Sequence, residues 1–290
     1  MDKAINAAWG RHGDDPEGVA AELPALVEGA ESAPAVAGLL VHVLGEHLGR
    51  WDEGLALVAR LTERFGAEDA LRRSEATLKL ASGDEEGGRA AIAACEAGEP
   101  GSNEARVLAV SAAAIAAHDQ AAAAGAWLQR AVTLAEALAD DDTAVRAVAI
   151  TGNNLAVALE EKEDRSLAED ALLRASANTA RAFWERAGTW MHIERAEYRL
   201  AKTHLALGDV ARAAVHARAC LEICGANDAD ALECVFGWEV VALAAAAGGD
   251  SDGAAIALGT IDALLLKLTE SNRGWVGAEI DKLRAAVASA

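Results

Sequence analysis

The stretch GRWDEGLALVARL, residues 49–61, sets a turn glycine, an aromatic, a small residue and an apolar residue in fixed order: Gly49, Trp51, Gly54 and Val58. The same order can be followed along the chain. Short Gly/Asp turns recur as HGDDP, LGRWD, SGDEE, AHDQA, KEDRS, LGDVA and GGDSD, with Gly13, Gly49, Gly83, His118, Glu163, Gly208 and Gly249 as markers. Successive markers are 36, 34, 35, 45, 45 and 41 residues apart. Periods of this size belong to arrays of helical hairpins.

Two fixed places around these markers are held by residues nearly all of which are small, and every one in the second set is Gly or Ala. Asn6, His42, Ala76, Ser111, Ala156, Ala201 and Ala242 stand seven before them; Gly18, Gly54, Gly88, Ala123, Ala168, Ala213 and Ala254 stand five after. Small side chains there let two antiparallel helices approach closely across a short turn. Gly18, Gly54 and Gly88 are poor helix residues whose place calls for such a packing reason. Larger apolar residues follow nine after the marker at Val58, Ile92, Trp127, Leu172 and Leu258.

Composition agrees with an all-α chain. Four prolines in 290 residues leave room for long helices, and alanine dominates. The net charge of −20 (46 acidic, 26 basic residues) removes the basic footprint expected for nucleic acid or an anionic membrane. The acid excess reads as solvation of an alanine-rich surface. A salt-adapted source is a sharper reading; the six lysines fit it and fit a GC-rich genome equally. MDKAINAAWGRHGDD lacks a secretory pattern, and stretches such as VLAVSAAAIAAH (107–118) fall short of a membrane span. Four cysteines without framework spacing point to a reducing compartment, so a cytoplasmic protein is expected.

The repeat resembles the tetratricopeptide superfamily, best in residues 49–61 and next in LAKTHLALGDVARAAVHARACLEI (200–223). The longer second-half spacings and NNLA look like the extended repeats of kinesin-light-chain-type arrays. The expected aromatic before most turns is missing. The resemblance implies a right-handed α-solenoid of about seven antiparallel hairpins in one domain, turning near 13, 49, 83, 118, 163, 208 and 249, with 272–290 as a capping helix.

It also implies groove-facing places about ten, nine and six residues before each turn. Before Glu163 these are Asn153, Asn154 and Val157. Before Gly208 they are Tyr198, Arg199 and Lys202, with Arg195 a turn earlier; before Gly249 they are Glu239, Val240 and Leu243, with Phe236 a turn earlier. Asparagine amides suit a peptide backbone and arginines suit a carboxylate. An asparagine followed by basic residues on the next leading helix resembles part of a carboxylate clamp, although Leu108 and Ala112 stand where its other half would hold a lysine and an asparagine. The expectation is a non-enzymatic scaffold that binds an extended, acidic or carboxylate-bearing protein segment through Asn153, Asn154, Arg195, Tyr198, Arg199 and Lys202. Replacing Arg195 and Arg199 by alanine should then weaken binding and leave folding intact. The bland alternative is ordinary ion pairing along a solvated helix.

Other side chains carry weaker signals. His216, Cys220 and Cys224 stand four apart and could face a soft metal, yet Cys220 holds a packing place and the three span two turns; core packing is the favoured reading. The alternative function is thus a small-molecule or soft-metal sensor. His42 takes a close-packing place, and His47 with Glu46 reaches the groove or its rim. Trp184, Trp190 and Phe236 bracket the basic stripe as candidate anchors. No phosphate loop, dinucleotide fingerprint, nucleophile elbow or zinc-protease pair is present, so no cofactor and no enzyme are expected. Self-association through exposed end helices stays open.

Overall fold

A computed structural model describes residues 3–289. Among these, fifteen α-helices follow one another without a strand. They are α1 (Lys3–Arg11), α2 (Pro16–Glu22), α3 (Ala33–Leu40), α4 (Trp51–Phe65), α5 (Asp69–Ala81), α6 (Glu85–Ala93), α7 (Ser102–Ala116) and α8 (Ala121–Glu136). The second half continues with α9 (Thr143–Glu160), α10 (Leu167–Ala187), α11 (Trp190–Ala206), α12 (Val210–Ala226), α13 (Ala231–Ala247), α14 (Ser251–Leu265) and α15 (Glu270–Ser289). A short 3₁₀ turn covers Leu23–Leu26 and a π-helical segment covers Val41–His47. Each turn marker read from the sequence falls in a break between helical segments.

The breaks have local causes. Gly49, Gly83, Gly208 and Gly249 adopt positive φ (64°, 94°, 72° and 75°), the left-handed conformation that ends a helix. The backbone N–H groups of Asp84, Asp209 and Asp250 then reach back to the carbonyls of Lys79, His204 and Ala245 at 2.8–2.9 Å. The next helix starts at once, because Asp15, Asp84, Asp209 and Asp250 each cap it with a side-chain carboxylate.

Two details correct the sequence reading. At Gly18 the nearest atoms to an added Cβ are those of the Asp15 carboxylate that caps its own helix, so the cap by itself gives the glycine a reason. Gly54 and Gly88 do sit against leucines, Leu78 at 3.1 Å and Leu80 at 2.6 Å from an added Cβ. In the turn after α7, Asp119 and not His118 holds the left-handed position (φ 60°). The packing register therefore moves one residue, and Ala124 is buried while Ala123 is exposed.

The chain divides into two compact units, Met1–Thr151 and Gly152–Ala290. In the first, α5 packs on α4, α6 and α7, and α7 packs on α8. Its core gathers Ile5, Leu23, Leu39, Leu40, Leu44, Leu71 and Leu78. In the second, α11 packs on α10, α12 and α13, and α13 packs on α14 and α15. The stripe Val276, Ile280 and Leu283 seats α15 against Val235, Ala242, Ile261 and Leu268. No helix among the described residues is long and apolar enough to cross a membrane.

Candidate functional site

Within the second unit, Arg195, Tyr198, Arg199 and Lys202 share one face of α11, as their spacing requires. That face is already neutralised from three sides. Arg195 grips Glu233 of α13 with Nε and Nη2, Nε lying 3.1 Å from Oε2. Arg199 Nη1 donates to Glu160 Oε2 at 2.6 Å. The Lys202 ammonium lies 3.5 Å from Glu239, 3.4 Å from Glu279 of α15 and 3.8 Å from Glu160. The Tyr198 hydroxyl donates to both oxygens of Glu239, at 3.1 and 3.2 Å.

Burial governs the electrostatics here. Glu239 is 1% exposed, and burial pushes its carboxyl above the usual carboxylate range although Lys202 pulls the other way. Burial also pushes the Tyr198 hydroxyl up, and Glu239 adds to the effect. The Arg195 side chain remains 60% exposed, whereas those of Arg199 and Lys202 are each 18% exposed. Removing Arg199 would leave Glu160 without its nearest cation, so the sequence expectation that its loss spares folding meets a physical objection.

The asparagines behave differently. Asn153 Nδ2 donates to Asn154 Oδ1 at 3.3 Å, and Asn154 is exposed. Neither amide bonds to Arg195, Tyr198, Arg199 or Lys202 among the described residues. The preceding Gly152 lies so close to α10 that an added Cβ would stand 2.8 Å from the Ser176 carbonyl and 2.9 Å from the Ala180 nitrogen.

Beside the charged face lies a cleft of about 440 Å³. Leu205, Ala206, Leu243, Ala246, Ala247 and Ala286 line it, with Glu160 and Lys202 at its polar edge. Leu243 and Lys202 both stand six residues before their turns, so the repeat itself places them side by side. Phe236 packs between Tyr198 (5.8 Å between centroids) and Trp275 (5.6 Å). Trp184 is buried and stacks on His192 at 4.3 Å, which makes it a packing residue.

The sequence reading did not pair the basic stripe with its glutamates. Glu239 occupies the same place before its turn as Tyr198, and that register match was the available signal. Glu160, Glu233 and Glu279 carried none, since their partners lie 38 or more residues away, up to 77 for Glu279.

The trio His216, Cys220 and Cys224 is regrouped. His216 Nδ1 lies 2.7 Å from Glu197, and Glu194 joins the two cysteines instead. The Cys220 thiol donates to Glu194 Oε1 at 2.7 Å, and one ligating atom from each of the three lies within 4.8 Å of the others. Glu194 is fully buried and its Oε2 has no hydrogen-bond partner. Burial pushes its carboxyl up to about 8. A comparison with models of known protein families finds none that matches the chain, and a comparison with curated proteins finds no relative.

Proposed function

We propose that this chain is a non-enzymatic helical-repeat scaffold, built as a right-handed tetratricopeptide-like array in the cytoplasm, that holds an extended segment of a partner protein. The marker spacings and their coincidence with helix breaks support the repeat reading. The observation that carries the binding reading is the cleft of about 440 Å³, apolar along its lining and edged by Glu160 and Lys202. Its size suits one or two large apolar side chains of a chain lying across α11 and α13. A partner carboxylate would dock near Arg199 and Lys202 by exchange with Glu160 or Glu279, so the apolar contact supplies the larger share of affinity.

The test is peptide display on the native chain, counter-selected on Leu243→Glu, whose side chain is half-buried in the cleft lining. Peptides with an apolar anchor that bind the native chain and not the variant support the reading. Peptides that bind both with equal affinity place the contact elsewhere.

A second reading, soft-metal binding, is favoured by one observation: a buried carboxylate oxygen without a partner beside two buried thiols at Glu194, Cys220 and Cys224. Metal analysis of untagged protein, with Cys220→Ser/Cys224→Ser for comparison, tests it. Stoichiometric metal lost in the variant supports it; metal-free native protein that takes up none on dialysis removes it.

A further inference from the structure

The first unit contains three histidines that two separate segments bring together. His12 follows α1, while His42 and His47 belong to the π-helical segment Val41–His47. Their ring centroids are 4.7 Å (His12–His42), 5.2 Å (His12–His47) and 5.0 Å (His42–His47) apart. One ligating nitrogen from each lies within 4.8 Å of the other two.

The backbone is unusual where it creates this cluster. Residues five apart on an α-helix point about 140° away from each other at 3.6 residues per turn. In a π turn the residues five apart are the ones stacked by the hydrogen bond. Leu48 N–H bonds to Val43 O at 3.1 Å in that pattern, so the π geometry turns His42 and His47 toward a common side. The segment is held from outside as well. His118 Nε2 lies 3.0 Å from the Gly45 carbonyl, and the His118 ring packs on Trp51 at 5.2 Å. Rare π turns recur at functional sites, and here the turn has a definite consequence.

The hydrogen bonds around the rings set their tautomers. His42 Nδ1 lies 2.6 Å from the Glu46 carboxylate, and His12 Nδ1 lies 2.5 Å from the Trp9 carbonyl. Both partners only accept, so each Nδ1 donates and Nε2 is the nitrogen that the neutral ring offers to a metal. A carboxylate or carbonyl behind an imidazole is the usual outer support of a metal-bound histidine. His47 has no hydrogen-bond partner among the described residues. Trp9 closes one side, 5.2 Å from His12 and 5.4 Å from His42.

From this convergence we propose that His12, His42 and His47 form a binding site for Zn²⁺, supported by Glu46 and the Trp9 carbonyl and open at the fourth position. Zinc–nitrogen bonds of about 2.0–2.1 Å put tetrahedral ligands about 3.3 Å apart. The rings therefore close by about 1.5 Å or less on binding, a movement that the exposed His47 supplies. Mutual packing of imidazoles alone would not call for a π turn that brings His42 and His47 together. The site lies in the first unit and is independent of the cleft and of Glu194, Cys220 and Cys224, all in the second.

The test uses the full chain without a histidine tag and titrates Zn²⁺ against a chromophoric chelator. The native protein and Cys220→Ser/Cys224→Ser should share one equivalent of Zn²⁺ that His42→Gln/His47→Gln lacks. His47→Gln alone, at an exposed position, should weaken that equivalent at least tenfold with helical content unchanged. Glu46→Gln should weaken it about 10- to 100-fold, as loss of an outer partner does. The proposal is overturned if the histidine variants bind Zn²⁺ with native stoichiometry and affinity. It is equally overturned if the cysteine variant binds none, which would assign any bound metal to the second unit.

Discussion

Arg199 Nη1 lies 2.6 Å from Glu160 Oε2, joining α11 to the end of α9 through side chains that are 18% and 14% exposed. The pair is sheltered enough for its loss to register in stability. Arg199→Ala should cost ~2 kcal/mol, because Glu160 then retains only Lys202, at 3.8 Å. Glu160→Gln added to that variant should recover part of the loss. Urea unfolding of the two single variants and the double gives the coupling; additive losses would show that the pair is only superficial.

Tyr198 and Glu239 form the neighbouring contact. Tyr198→Phe removes the hydroxyl from a carboxylate that is 1% exposed, leaving Lys202 at 3.5 Å. About 1–2 kcal/mol of stability should be lost. A thermal shift within error of the native protein would contradict the assigned bond.

Two glycines should respond in opposite directions. At Gly152 an added Cβ meets backbone atoms of α10 at 2.8 and 2.9 Å, which cannot move aside cheaply. Gly152→Ala should destabilise by about 1–3 kcal/mol. Gly259, exposed on α14, has nothing within 4 Å of an added Cβ. Gly259→Ala should stabilise by about 0.5–1 kcal/mol through helix propensity alone. Equal midpoints for both variants would argue against the close α9–α10 approach.

At the start of α10, Ser166 and Glu169 form a reciprocal capping box. Lys162, 2.6 Å from Glu169 Oε1, and the Ser166 N–H hold the Glu169 carboxyl down at about 2. The folded value lies below the ordinary 4.5, so this stabilisation is fully present above pH 4.5 and is lost as pH falls toward 2. Denaturant unfolding between pH 7 and pH 2.5 should show a shallower acid loss in Glu169→Gln than in the native chain. Ser166→Ala should cost about 1 kcal/mol at neutral pH. Identical acid profiles would mean that the box contributes nothing.

Much of the architecture was legible because its causes are local. A left-handed glycine ends a helix and an aspartate starts the next within a few residues, so Gly83–Asp84 and Gly249–Asp250 can be read directly. Where aspartate takes the glycine's role, as Asp119 does, the reading slips by one residue and places Ala123 where Ala124 packs. The face of α11 was legible for the same reason, since a four-residue step returns to one side of a helix. Its neutralisation was not, because Glu160, Glu239 and Glu279 reach it from three other helices.

The sequence by itself determined where the turns between helices fall, some of the small residues at close approaches such as Gly54 and Gly88, and which side chains share a helix face. All of these follow from hydrogen bonds and side-chain directions within about one turn. Only the tertiary structure decided that the basic stripe is paired, that Glu194 replaces His216 beside the cysteines, and that His12 meets His42 and His47. Those outcomes depend on how whole helix faces dock and, at Val41–His47, on a π turn that redirects two side chains, and helical spacing contains neither.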